Sequence, residues 1–202
     1  RLRGETKSDF LTIMAGLNAL SERQGRLPRS VVRPRMKLNV NNLDSTVLED
    51  RIPYSWRTMI AADFGALALG WNSERPWNDP RNRGLEIVSR LFMYNDREQP
   101  IGANLFLETK VLAITGPGTA FGDGHEPPMR RSEVPPQMIL LVESRNSGIP
   151  WPVPGDLDVR TMPRTFNASD GRGISSRYSG GFHVAFADGS VWFISDKIPF
   201  ET

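Results

Sequence analysis

The C-terminal end of the chain gives the strongest structural constraint in the sequence. Residues 180–195 read GGFHVAFADGSVWFIS, and apolar residues alternate with other residues on both sides of Asp188 and Gly189. Such alternation is typical of β-strands, and Asp-Gly between two alternating runs predicts a hairpin closed by a two-residue type I′ turn. Asp188 is therefore predicted to be a turn residue and not the carboxylate of an active site.

An amphipathic helix is predicted over residues 8–24. Ser8 can cap its start, and Gly25 and Pro28 end it. Its apolar residues recur at spacings of three and four and form one stripe: Phe10, Ile13, Met14, Leu17 and Leu20. We expect this stripe to pack against a sheet in the same domain, and the alternative is docking of a partner helix.

The remaining chain is predicted to contain further helices first and strands afterwards. Residues 28–53 are predicted to be an irregular connection with a short strand at 36–40, and helices are predicted within 54–71 and 78–94. The second of these helices has the buried face Leu85, Val88, Leu91 and Phe92. Strands are predicted within 103–115 and 135–144, so the fold class is α+β with an antiparallel sheet. We expect one domain over residues 1–202.

Composition excludes several classes of partner and site. A net charge of +2, from 25 basic and 23 acidic residues, gives no field that would attract nucleic acid. The absence of cysteine excludes disulfides and thiolate metal sites. No run of about 18 apolar residues occurs in the sequence, so no membrane-spanning segment is predicted within it.

No catalytic constellation is recognised in the sequence. The chain has two histidines, His125 and His183, and His183 is expected to point to one face of the sheet without a catalytic partner. No nucleophile elbow and no phosphate-binding loop is found. We therefore predict no catalytic residues and a protein that is not an enzyme.

Two loop stretches carry candidate metal ligands. GDGHE offers Asp123, His125 and Glu126, and GDLDV offers Asp156 and Asp158. Alternating oxygen ligands suit Ca²⁺, but neither stretch matches a twelve-residue Ca²⁺ loop. Turn-forming residues have the same composition without binding a metal, so we predict no cofactor and keep Ca²⁺ as the alternative.

Long loops are the expected place for any recognition surface. Residues 116–136 and 146–181 connect the predicted strands, and loops of this length are usually functional or disordered. Their Trp, Phe and Pro content favours ordered packing. Trp151 and Trp192 are candidate stacking platforms for a ligand, and the alternative for each is a buried core residue.

Several segments together resemble one family. They are RQGRLP, YSWRTMI, PWNDPRNRGL, ITGPGTAF, ILLVESRNSGIPWPVPGDLD and GGFHVAFADGSVWFI, in this order. The family is that of the planctomycete prepilin-like proteins with a C-terminal H-x9-DG signature. Such proteins look like type IV pilins and type II secretion pseudopilins, which are membrane-anchored structural proteins.

The sequence departs from the family pattern at the signature itself. Tyr178 stands ten residues before Asp188, where the family has histidine, and Gly180 and Gly181 follow it. A tyrosine can replace a histidine that only packs and makes one hydrogen bond, whereas it cannot replace a catalytic one. The departure argues that the signature hairpin, which closes with Asp188 and Gly189, is structural.

The resemblance implies a pilin-like head with an N-terminal helix packed on the sheet. It also implies an apolar anchor helix before this helix, absent from the present chain, and a place in the cell envelope, periplasmic or extracellular, among other pilin-like subunits. The first alternative is an extracellular module that binds carbohydrate or another ligand through the long loops. The second alternative is an uncharacterised enzyme.

Overall fold

The computed structural model describes residues 2–32, 53–61, 64, 82, 91–92, 108–123 and 127–200. Its first part holds the helix α1 (Leu2–Gln24), the strands β1 (Val31–Val32) and β2 (Tyr54–Ser55), and the short helix α2 (Trp56–Ala61). The second part holds five strands: β3 (Val111–Thr115), β4 (Ile139–Glu143), β5 (Leu157–Asp158), β6 (Gly181–Phe186) and β7 (Val191–Ser195).

The five later strands form one sheet in the order β5-β3-β4-β6-β7, and β1 pairs with β2 separately. The predicted α+β class is confirmed. The prediction of a purely antiparallel sheet is wrong at one edge, because β5 runs parallel to β3 through Ile114 and Leu157. This strand is two residues long and lies within the segment predicted as a loop, so it has too few residues for an alternating pattern.

Helix α1 is longer than predicted. It begins at Leu2, so Ser8 lies inside it and is not its cap; the Ser8 carbonyl accepts a hydrogen bond from Thr12 Oγ1. It ends at Gln24, and Gly25 follows with a φ of 71°, the left-handed conformation that ends many helices. Among the helices in the described ranges, none is both long and apolar enough to cross a membrane.

The predicted stripe of α1 is confirmed as core. Phe10, Ile13, Met14, Leu17 and Leu20 are all buried. The helix contacts α2, β6 and β7, and its stripe belongs to the same apolar cluster as inward-facing residues of the sheet, including Val111, Leu141 and Ala185. The expectation that α1 packs on the sheet, and not on a separate partner, is therefore correct for this face.

The opposite face of the sheet has its own apolar cluster. Leu112, Val142 and Val184 lie in it, and the long segment between β4 and β6 covers them. Within that segment the ring of Phe166 lies 4.7 Å from the ring of Phe182. The long loop thus packs in an ordered way, as its composition predicted, and in doing so it forms part of the core.

Some predicted elements lie wholly or partly outside the described residues. The strand at 36–40 lies outside them, as do Leu85 and Val88 of the predicted helix within 78–94. From that helix, Leu91 and Phe92 are described as helical, and Phe92 is fully buried.

Replacing Leu17 by Ala should lower the free energy of unfolding by about 2–5 kcal/mol, because the side chain is fully buried and its removal leaves a cavity. Leu11→Ala is the matched control on the same helix, since Leu11 is 45% exposed and should change stability by less than about 0.5 kcal/mol. Urea denaturation measures both. Equal losses for the two variants would contradict the burial of the stripe.

Candidate functional site

The terminal hairpin closes with a three-residue loop, so the predicted two-residue type I′ turn is wrong. Phe186 N donates to Ser190 O, and Gly189 N donates to Phe186 O, both at 2.9 Å. Gly189 has the predicted positive φ, at 89°, but Asp188 does not. This is a type I turn followed by a left-handed glycine, which is the next common way to close a hairpin.

Asp188 has a structural role in this turn. Its Oδ1 accepts a hydrogen bond from Ser190 N at 2.8 Å, and hydrogen bonds from the Ser190 side chain and backbone lower the pKa of the carboxyl group. Its own N–H donates to Pro136 O, and the N–H of Ala187 donates to Met138 O. The turn is therefore fixed against the segment before β4, and Asp188 is a turn residue of the terminal hairpin, as predicted.

Tyr178 connects α1 to the start of the hairpin. Its hydroxyl shares a 3.1 Å hydrogen bond with Thr6 Oγ1, and its ring lies edge-on to the His183 ring. Gly180 has a φ of 86°. Gly181 lies so close to β7 that a Cβ atom there would overlap the carbonyl of Ile194. Each of these signature residues therefore either packs against its neighbours or sets the path of the backbone.

His183 has an acidic partner, Glu143, which the sequence analysis did not identify. Its Nδ1 lies 2.6 Å from Glu143 Oε2, the same oxygen accepts the His183 backbone N–H, and Ser176 Oγ donates to Glu143 Oε1. Such a pair could serve as a general base only if a substrate could reach it. The two side chains are 1% and 0% exposed, so here the pair joins β4 to β6 inside the protein.

A largely buried ion pair joins α1 to the sheet. Lys110, immediately before β3, binds the Asp9 carboxylate through its Nζ atom. Burial lowers the pKa of Lys110 and raises that of Asp9, while their mutual attraction opposes both changes. The pair lies near the Glu143–His183 pair, because Phe10, next to Asp9 on α1, has its ring 6.0 Å from the His183 ring.

The largest hydrogen-bonded cluster surrounds Arg57 of α2. Its fully buried guanidinium group donates to Asp156 Oδ1 and to four backbone carbonyls, those of Val111, Trp151, Val153 and Gly155. Asp156 also accepts hydrogen bonds from Ala113 N and from the Trp56 indole. Burial raises the pKa of Asp156 and lowers that of Arg57, and their attraction acts in the opposite direction for each.

This cluster joins two motifs that are far apart in the sequence. YSWRTMI supplies Trp56 and Arg57, and the stretch PWPVPGDLD supplies Asp156 and three of the four carbonyls. Sequence reasoning missed the roles of Arg57, Glu143 and Lys110. The available signal was a charged residue within or beside an apolar run, since such a residue must find a partner when the run is buried.

The candidate metal ligands are not brought together among the described residues. Asp156 binds Arg57, and Asp158 binds Arg160 Nη2 at 2.6 Å, which lowers the pKa of Asp158 to about 2. Asp123 is described, but His125 and Glu126 lie outside the described residues. Within the described ranges, no group of three or more metal-binding side chains is found.

The two candidate tryptophans have opposite environments. Trp151 is 1% exposed and stacks on Phe92, with ring centroids 5.2 Å apart and planes 2° apart. It is a core residue, so its prediction as a ligand platform is wrong. Trp192 on β7 is 62% exposed and could contact a ligand or another protein.

Comparison with known proteins gives one family match, in the C-terminal part. Residues 105–201 match DUF1559, a family described as a protein of unknown function (SBP_bac_10). The match spans just under half of the chain and includes all five strands of the main sheet. No curated protein and no solved structure matches the chain significantly.

Replacing Gly189 by Val should lower the free energy of unfolding by about 1–2 kcal/mol, because a β-branched residue is strained at positive φ. Gly189→Asn is the control, since Asn tolerates this conformation. Thermal unfolding of both variants tests the turn. Unchanged melting of the Val variant would show that the left-handed conformation is not required.

Replacing Asp156 by Asn should lower the free energy of unfolding by about 3–5 kcal/mol, because the shape is kept while the buried Arg57 charge loses its partner. Asp158→Asn, two residues further on, is the matched control: its ion pair with Arg160 is solvent-accessible, and little change is expected. Chemical denaturation compares the two. A similar loss in both variants would show that burial of the Arg57 pair is not what matters.

Proposed function

We propose that this chain is the head of a pilin-like or pseudopilin-like subunit, a non-enzymatic structural or assembly protein of the cell envelope. The single observation that carries the proposal is the packing of α1. A helix of 23 residues, about 35 Å long, lies with one buried stripe on a sheet whose four strands β3, β4, β6 and β7 are antiparallel. This is the arrangement that the resemblance to prepilin-like proteins predicts.

The family match is consistent with this proposal. DUF1559 is typical of planctomycete proteins with prepilin-like features, and the matched residues 105–201 span the terminal hairpin. The departure at Tyr178 fits as well, because the tyrosine packs on His183 and makes one hydrogen bond, to Thr6, through its side chain. A structural signature tolerates such a substitution.

The environments of the polar residues support a non-enzymatic role. Glu143 and His183 are buried together, Asp156 holds Arg57, and Asp188 caps a turn. These groups bond to other groups of the protein, so they are not available for chemistry on a substrate. We propose no cofactor, no nucleic acid and, as partners, other pilin-like subunits.

A binding module is the second candidate, and Trp192 is the observation that favours it. Its exposed ring could stack on a sugar. The other proposed platform, Trp151, lies in the core, and the segment between β4 and β6 is packed on the sheet. One isolated aromatic ring is a weak basis for a carbohydrate site, so we favour the assembly role.

The proposal predicts that the natural gene encodes an apolar segment of about 20 residues before α1 and that this segment anchors the protein. The full-length product should sediment with membranes and be released by detergent but not by high salt. Residues 1–202 alone, prepared in parallel, should remain in the supernatant. Recovery of the native full-length protein from the soluble cytoplasm would overturn the proposal.

A further inference from the structure

Among the described residues, β7 is an edge strand of the main sheet, with no strand paired on its outer side. It pairs with β6 on one side and is the last strand in the sheet order. Its sequence, VWFIS, contains no charged residue and no proline, which are the residues that natural proteins place on edge strands to prevent further pairing. An unprotected edge of five residues is suited to accept another strand.

The hydrogen-bonding groups on the outer side of β7 follow from the hairpin register. Phe186 N donates to Ser190 O, so Phe186 and Ser190 form a hydrogen-bonded pair. Such pairs alternate along an antiparallel ladder, and the next ones are Val184 with Trp192 and Phe182 with Ile194. The N–H and C=O groups of Val191, Phe193 and Ser195 therefore point away from β6, and within the described residues no hydrogen bond reaches them.

The apolar surface beside this edge is formed by Trp192. Its side chain is 62% exposed, and Ile194 lies two residues further along the strand, on the same face of the sheet and partly exposed. Ile194 packs at the border of the second apolar cluster. The edge thus offers a large exposed ring next to a half-covered aliphatic side chain.

We infer that β7 pairs with β7 of a second copy of this chain, antiparallel and about a two-fold axis at Phe193. The three residues with outward groups are symmetric about this position, so Phe193 meets Phe193 and Val191 meets Ser195 in hydrogen-bonded pairs. Trp192 then lies opposite Ile194 of the other copy, twice by symmetry. These are non-hydrogen-bonded pairs, in which side chains approach most closely.

Residues of opposite charge flank β7 at its two ends. Asp188 precedes the strand and Lys197 follows it, and both are exposed. In the antiparallel arrangement, the end of β7 before Lys197 in one copy meets the end after Asp188 in the other, so opposite charges lie at the same end of the contact. The exposed Arg3 lies over the Phe193 ring, so two Arg3 side chains approach near the axis, and their repulsion keeps the contact weak.

A second copy fits this edge better than an unrelated strand, because the pattern complements itself. One strand carries both members of the apolar pair, Trp192 and Ile194, and the segments that flank it carry opposite charges, Asp188 and Lys197. The inference depends on the edge geometry alone. It names a subunit contact for the proposed assembly role, but it holds whether or not the protein has a membrane anchor.

Sedimentation velocity on residues 1–202, from about 10 µM to about 1 mM, tests the dimer, since small interfaces give weak association. We expect a concentration-dependent dimer that Trp192→Lys weakens by about tenfold or more. Leu11→Lys is the matched control: it places the same charge on another exposed apolar residue, on α1, and should leave association unchanged. Circular dichroism and thermal melting confirm that both variants are folded.

Disulfide formation between engineered cysteines determines which residues of the two β7 strands lie opposite each other. The natural chain has no cysteine, so a mixture of Trp192→Cys and Ile194→Cys proteins has one thiol per chain. Under mild oxidation we expect the mixed disulfide to dominate over either homodimer. A monomer at all concentrations, a dimer unaffected by Trp192→Lys, or a predominance of homodimeric disulfides would overturn the inference. None of these outcomes bears on the membrane experiment, so the two proposals can fail separately.

Discussion

The buried guanidinium group of Arg57 is the interaction on which the arrangement of the structure depends. It binds one carboxylate and four backbone carbonyls from parts of the chain that are far apart in sequence. Exchanging such a pair for apolar residues of equal volume is often neutral for stability, but removing one partner alone is strongly destabilising. Its role is therefore to fix where α2, β3 and the 151–156 segment lie relative to one another.

The two faces of the sheet are covered by different kinds of structure. On one face α1 and α2 supply apolar side chains to the core, and the Asp9–Lys110 ion pair and the buried, hydrogen-bonded Glu143–His183 pair lie among them. On the other face the segment between β4 and β6 covers the strands with little regular structure of its own. The carbonyls that this segment offers to Arg57 help to explain its ordered path, because a buried carbonyl needs a donor.

The buried polar residues hold parts of the fold together. A buried His–Glu pair and a buried Arg–Asp pair can suggest catalysis when the residues are considered singly, but their distances and burial show that each joins two parts of the fold. Among the described residues, Trp192 on the edge strand β7 is the most exposed of the large apolar side chains. A molecule whose polar groups serve its own structure and whose apolar edge is open is suited to assembly.

Local patterns in the sequence determined the class and the main elements: the stripe of α1, the alternation in β6 and β7, and the left-handed glycine at Gly189. They act within a few residues, where side-chain periodicity and turn chemistry decide the conformation. Tertiary structure alone decided the partners of Arg57 and Glu143, the burial of Trp151, the parallel strand β5 and the three-residue form of the turn. These features depend on contacts between distant segments, and no local pattern encodes which buried charge, ring or backbone group the folded chain will bring together.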